Sequence, residues 1–443
     1  MIAAQSLYLT DLSRGAGRAT WHIIPTLRLW HNICCAKEGI GIIHIAYICV
    51  GATGHVLASL PVVAELVRRG IRVSYFTSEF LRGMVQPCGV EFHPVESVLT
   101  DNGKTDKDIA VDMIAEIPLR FLAEAEANIE QILRVLEKDR PAFIISDTMA
   151  IAGRLAASAL GIPRIQFYTS YASNPHFSQV SAWPEYPDTH PARAKAKAMA
   201  EDFRRKYGGR FLDVKEIFEG QGDYNIVTIS KLFQPAGDTF GGDFLFAGAQ
   251  IAPRAASGQW DVPDNGKPLL YTSFGTLFNY WPGFYQILFE TVRNMELNVV
   301  CAIGNNIKAE DLGTVPDNVQ LHAFLPQLEV LEKADMFITH AGIGSVMEAV
   351  WFAVPMFCIP QMDEQFMTAG RVVELGIGEM LEDKNKLDSN VLGGAITSFL
   401  ATTVYRDRIM AMRDDMRING GYEKAADAVM EFAAKLALYT RVR

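Results

Sequence analysis

Residues 324–365 read FLPQLEVLEKADMFITHAGIGSVMEAVWFAVPMFCIPQMDEQ, and their order decides the fold. A short apolar strand, MFIT, ends on His340. A small-residue turn, Ala341-Gly342-Ile343-Gly344-Ser345, leads into a helix that carries Glu348. A second apolar strand, PMFCI, runs into Pro360-Gln361 and the polar pair Glu364-Gln365. Strand, tight turn, helix and strand form the repeating unit of a parallel sheet covered by helices. Gly342 and Gly344 permit close backbone approach and unusual φ values in the turn. The helix behind them aims unpaired amides and a partial positive charge out of its first turn, which suits phosphate. Ser345 adds a hydroxyl donor. Glu348 is three residues further along the same face, where a carboxylate accepts two hydrogen bonds from a ribose diol. The turn alone equally suits an ordinary strand-turn-helix with a capping Ser. With His340 before it and Glu364-Gln365 after the next strand, it fits a nucleotide-sugar pocket.

The same unit recurs upstream. IIHIAYICV (42–50) is a continuous apolar run rich in β-branched residues, as expected of a fully buried strand. The turn 51–55, an amphipathic helix stopped at Gly70 and the strand IRVSYFT complete one βαβ unit. AFIIS and IPRIQFY continue the first half; PLLYTS, NVVCAIG, VQLHAF, DMFIT and PMFCI make up the second. Between them, residues 251–267 are dense in Pro, Gly, Ser and Asp, as in a linker. The chain therefore divides into an extension without sustained periodicity (1–40), a first Rossmann-like domain (41–250), the linker (251–267), a second Rossmann-like domain (268–421) and a terminal helix (422–443). That helix is amphipathic and needs another surface to cover its apolar face.

Composition narrows the function classes. The 443 residues exceed one ordinary core at ~150 residues per domain, and the hydrophobic and charged fractions are those of a globular protein. A net charge of −10 argues against nucleic acid as a partner. No uncharged apolar run approaches the ~18 residues of a membrane span. The cysteines have neither metal-ligand nor disulfide-framework spacing, which fits a reducing cytoplasm, and no metal is expected. Neither opening turn reads GxGxxG, against a dehydrogenase.

In open parallel sheets, ligands lie beyond the carboxyl ends of the strands. The 51–55 turn, Asp147, the 273–276 turn, His340 with its turn, and the 360–365 loop all fall there. His55 follows Gly54 at a helix start, where the dipole disfavours a cation; taken alone the position better suits a capping or packing His, and its functional reading is a neutral imidazole acting as general base. Asp147 ends a strand of the same sheet and is placed to fix the tautomer of His55, or to cap the helix that follows; the two roles are compatible. Phe167 and Tyr171 follow a strand end and suit an acceptor pocket or core packing alike.

These segments resemble the family 1 glycosyltransferases, in particular the bacterial macrolide-glycosyltransferase branch. GATGHVLASLPVVAELVRRG resembles the amino-terminal segment bearing the catalytic His, and IISDTMAIAG the segment bearing its Asp. LLYTSFGTLFNYWPGFY resembles the start of the second domain, and 324–365 the nucleotide-sugar signature box. Phe324 stands where the box usually opens with Trp, Ile343-Gly344 where plant members have Trp-Asn, and Glu364 where Asp is commoner. The resemblance implies an α/β GT-B fold: two Rossmann-like domains facing a cleft, with a C-terminal helix crossing back to the first. It implies His55 as base and Asp147 as its partner. Ser273, Thr276, His340, Gly342, Gly344 and Ser345 would hold the diphosphate, with Glu348 on ribose, Glu364 and Gln365 on the sugar, and Phe324 and Gln327 framing the base. The expected activity is inverting, metal-independent transfer of a hexose, glucose from UDP-glucose, to a hydroxyl of a hydrophobic small molecule. The nucleotide sugar would be a co-substrate and no cofactor is expected. A TDP-deoxysugar transferase and a non-catalytic nucleotide-sugar-binding protein are the alternatives.

Overall fold

The computed structural model describes residues 42–97, 113–181, 189–208, 216–252, 260–261, 263, 265–275 and 280–441. The 1–40 extension, Thr276 and most of the 251–267 linker lie outside them.

Two parallel sheets carry the molecule. The first is built from β1 (His44–Ile48), β2 (Arg72–Ser78), β3 (Glu91–Val95), β4 (Ile144–Asp147), β5 (Arg164–Tyr168), β6 (Tyr224–Val227) and β7 (Phe244–Phe246), in the order β3-β2-β1-β4-β5-β6-β7. The second has β8 (Leu269–Ser273), β9 (Asn298–Ala302), β10 (Val319–His322), β11 (Met336–Thr339), β12 (Met356–Cys358) and β13 (Gly378–Met380), in the order β10-β9-β8-β11-β12-β13. Both sheets are doubly wound: the chain moves outward one way, returns to the middle and moves out the other way. The reversal lies between β1 and β4 in the first sheet and between β8 and β11 in the second, and such switch points open a crevice for ligands. The register sets Tyr47 beside Tyr75 and Ile145, and Ser273 beside Thr339 and Ala302.

The helices that matter for the site are α1 (Thr53–Arg68), α2 (Met113–Lys138), α3 (Ile151–Leu160), α4 (Pro191–Tyr207), α5 (Pro282–Val292), α6 (Gln327–Lys333), α7 (Ile343–Phe352), α8 (Asp363–Glu374), α9 (Ser389–Ala401), α10 (Val404–Asn419) and α11 (Tyr422–Arg441). The charged region before residue 222 contains α4, which packs on α2 and decorates the first domain. None of the helices among the described residues is long and apolar enough to cross a membrane.

Fully buried residues fill both layers, Tyr47, Tyr75 and Phe167 in the first domain and Tyr285 and Phe284 in the second. One apolar cluster joins the halves, running from Tyr168, Tyr171 and Phe233 to Phe337, Val350 and Met416. After α10 the chain crosses back at Gly420-Gly421. A Cβ on Gly420 would stand 2.3 Å from the Ala247 carbonyl oxygen, and Gly421 has φ +89°, so the crossing admits only glycine comfortably. Helix α11 then covers α1 and the first sheet: Phe432 meets Phe143 edge-on at 5.2 Å, and Arg69 bonds Asp427 at 2.6 Å. The amphipathic face expected at the C-terminus is thus buried against the opposite domain.

Candidate active site

The turn after β1 delivers His55 on the first turn of α1, and β4 delivers Asp147 beside it. His55 Nδ1 lies 2.7 Å from Asp147 Oδ2. Asp147 has no accessible surface, while His55 keeps 18 % of its side chain open to the cleft. The other Asp147 oxygen accepts the Met149 amide at 2.8 Å, so the carboxylate both caps the turn before α3 and orients the imidazole.

One expectation is corrected. Helix position predicts an imidazole that resists protonation. Burial does oppose the charge on His55, but the charge and hydrogen bond of Asp147, with the charge of Glu364, outweigh it and raise the pKa above 6.5. A full carboxylate at hydrogen-bond distance overrides a helix end carrying about half a charge. Glu364 keeps accessible surface yet is ringed by protein; this desolvation raises its pKa, against the pull of His55.

The second half supplies the turn expected to meet the diphosphate. No side chain caps α7, and its N-cap is Gly342 at φ −61°. Neither Gly342 nor Gly344 has positive φ; the left-handed residue is Ala341, at φ 64°. Gly342 is needed for space instead. A Cβ there would lie 2.6 Å from His340 Nε2, and one on Gly275 would lie 2.7 Å from His340 Cε1, so two glycines confine the imidazole edge. Burial depresses the pKa of His340 to about 4, against a backbone contact with Ser273 that raises it, so the ring is neutral at pH 7. Gly344 faces open space.

Gln327, Ser345 and Glu348 come together. The Gln327 amide donates to Glu348 Oε2 at 2.6 Å and to Ser345 Oγ at 3.2 Å, while its carbonyl accepts from Tyr271 Oη at 3.0 Å. Phe324, 54 % exposed after β10, offers an open aromatic face. Ser273 ends β8, nearly buried beside the turn at Gly275.

Three other candidate residues lie buried, Phe167 and Tyr171 taking the core-packing alternative of their two readings. Phe167 has no exposed surface and packs edge-on to Tyr47 at 5.7 Å, because alternation along β5 turns it into the sheet core. Tyr171 is also fully buried, stacked on Phe233 at 6.1 Å, with its hydroxyl 3.5 Å from Thr368 of the other half. It serves the domain contact rather than an open acceptor surface. Gln365 is 6 % exposed, its carbonyl accepting the Gln361 amide at 2.8 Å, so it shapes the loop that presents Glu364. Sequence reasoning missed Thr169, whose hydroxyl is 2.9 Å from His55 Nδ1. It lies one residue past β5, where the strand-end rule would have found it.

Similarity to known proteins agrees with this geometry. Residues 286–430 match the family model described as the erythromycin biosynthesis protein CIII-like C-terminal domain. The NDP-glycosyltransferase YjiC of Bacillus licheniformis is 34 % identical over 396 residues, 88 % of this chain and 98 % of that protein. The demethyllactenocin mycarosyltransferase of Streptomyces fradiae is 30 % identical over 399 residues, 87 % of this chain and 86 % of the relative. The crystal structure of the calicheamicin glycosyltransferase CalG4 superposes with a TM-score of 0.78 at 29 % identity, covering 90 % of this chain and 100 % of that one. With two facing doubly wound sheets of the GT-B fold and this degree of similarity along its length, the chain belongs to the bacterial macrolide-type branch of the family 1 glycosyltransferases.

Proposed function

We propose that the protein transfers glucose from UDP-glucose, with inversion and without a metal, to a hydroxyl of a hydrophobic small molecule such as a macrolide, polyketide or phenolic. The observation that carries this reading is the 2.7 Å His55–Asp147 pair at the switch point of the first sheet. With its Nδ1–H given to Asp147, the neutral imidazole has a bare Nε2. That nitrogen takes the acceptor's proton as the acceptor oxygen bonds to the anomeric carbon. The bond from that carbon to the diphosphate breaks, and UDP leaves with its electron pair. The charge on UDP is met by the uncapped amides of α7, by Ser345 and by neutral His340 acting as a hydrogen-bond donor. Attack from the face opposite the leaving group gives a β-glycoside from an α-linked donor.

Glu348 favours a ribonucleotide. Its carboxylate, held by Gln327, suits two neighbouring hydroxyls, and a deoxyribose supplies one fewer. The resemblance to a mycarosyltransferase keeps TDP-deoxysugars as the second reading.

Mass spectrometry of the purified protein with UDP- and TDP-sugars and an acceptor panel tests the assignment. A mass gain of one hexose is expected with UDP-glucose. His55→Ala is expected to lower turnover on the order of 10²–10⁴-fold with the fold intact. Near-normal turnover by that variant would sink the mechanism.

A further inference from the structure

We propose that Tyr271 is a positioning residue for the nucleoside, its hydroxyl setting the Gln327 amide that in turn holds Glu348 ready for a ribose diol. The proposal rests on the reading of Glu348 as the ribose ligand. Tyr271 lies in β8, at the switch point of the second sheet, and is 1 % exposed. Its ring stacks on Phe337, its register partner in β11, at 4.8 Å with 7° between the planes. The hydroxyl is thus carried on a rigid support.

Gln327 opens α6 and stands between β8 and α7. Its carbonyl accepts from Tyr271 Oη at 3.0 Å, and its amide nitrogen donates to Glu348 Oε2 at 2.6 Å and to Ser345 Oγ at 3.2 Å. A carboxylate only accepts, so it requires the nitrogen on its side; the hydroxyl on the other side must then donate to the oxygen. Burial keeps the Tyr271 proton in place, pushing its pKa well above 10 against a hydrogen bond from Ser273. Turned over, the amide would set its oxygen against the carboxylate, acceptor against acceptor. Three partners on three elements therefore agree on one orientation.

A carboxylate has about four acceptor positions, and Gln327 takes one of them at Oε2. That bond restrains the carboxylate, so a vicinal diol meets it without first having to order it. Tyr271 acts through the amide it orients, and its donation polarises the N–H toward Glu348. Contacts to ribose are made alike in the ground and transition states, so KM rather than kcat should carry the effect.

The test uses Tyr271→Phe, which removes one oxygen and keeps the stack. Calorimetry of the full-length protein with UDP and with 2′-deoxy-UDP reads the nucleoside contact. Both ligands carry the diphosphate, so any effect through Ser273 cancels in their affinity ratio. UDP binding should weaken roughly five- to tenfold, the scale of one hydrogen bond, and 2′-deoxy-UDP binding by less, so that the preference for UDP falls. KM for UDP-glucose should rise with it while kcat holds. Gln327→Ala should show the same fall in preference, and adding Tyr271→Phe to it should cost nothing more. An unmoved preference in folded Tyr271→Phe or in Gln327→Ala, or full additivity in the double variant, overturns the proposal. If Glu348→Gln loses the preference while Tyr271→Phe keeps it, only the role of Tyr271 falls. If Glu348→Gln keeps the full preference for UDP, the ribose reading fails and the proposal with it.

Discussion

At the scale of single residues, two histidines are held in opposite ways. His340 is stripped of water and kept neutral, so in the proposed reaction it would meet the leaving group with one hydrogen bond rather than a charge. His55 is also desolvated, but Asp147 and Glu364 push its pKa above the ordinary 6.5. A base must be unprotonated to act, so kcat/KM should rise with pH through a midpoint above 6.5 and fall on the acid side as His55 is charged. Asp147→Asn removes the negative charge that does most to hold the His55 pKa up. Its midpoint should move to lower pH while the plateau drops on the order of 10²–10⁴-fold. Paired pH–rate profiles check this; an unmoved midpoint would assign the limb to another group. His55 and Asp147 were legible in sequence because both follow strand ends. The sign of the pKa shift was not, since it depends on the 2.7 Å approach of side chains 92 positions apart.

At the scale of elements, the β11–turn–α7 unit shows how strain and space are divided. Ala341 takes the left-handed conformation, which costs roughly 1 kcal/mol in a residue with a Cβ. Gly342 keeps ordinary φ and yields room to His340. Gly342→Ala should therefore rotate His340 aside without unfolding α7. The KM for UDP-glucose should rise roughly tenfold, the loss of one strong hydrogen bond. Steady-state kinetics alongside thermal unfolding separates this from instability: a KM unchanged at unchanged Tm would contradict the crowding argument. The long apolar strands were readable from their β-branched runs. Strands β6, β7 and β13, with sequences YNIV, FLF and GEM, were not. They are three or four residues long and are extended because a neighbouring strand edge pairs with them, which no local pattern announces.

At the scale of the whole molecule, two domains are held as one by a shared apolar cluster, by Arg371 donating to the Leu232 and Phe233 carbonyls at 2.9 Å, and by α11 lying on the opposite domain. Phe432 anchors that helix, 6 % exposed against Phe143 and Tyr224. Phe432→Ala should cost ~3 kcal/mol by leaving a cavity under α11. Chemical denaturation checks it, and a loss below the cost of a surface change would mean that α11 is not part of the first domain's core. The sequence by itself determined the α/β class, the two repeats, the strand-end placement of His55, Asp147 and His340, the helical position of Glu348, and the apolar face of the last helix. All of these follow from periodicity and local turn chemistry. Only the tertiary structure decided that Phe167 and Tyr171 are core, that Gln365 serves its own loop, that Thr169 touches His55 and that Glu364 faces His55 across the cleft. Those facts depend on how strands and domains distant in the chain are brought together, and the side-chain environments exist only after that packing is complete.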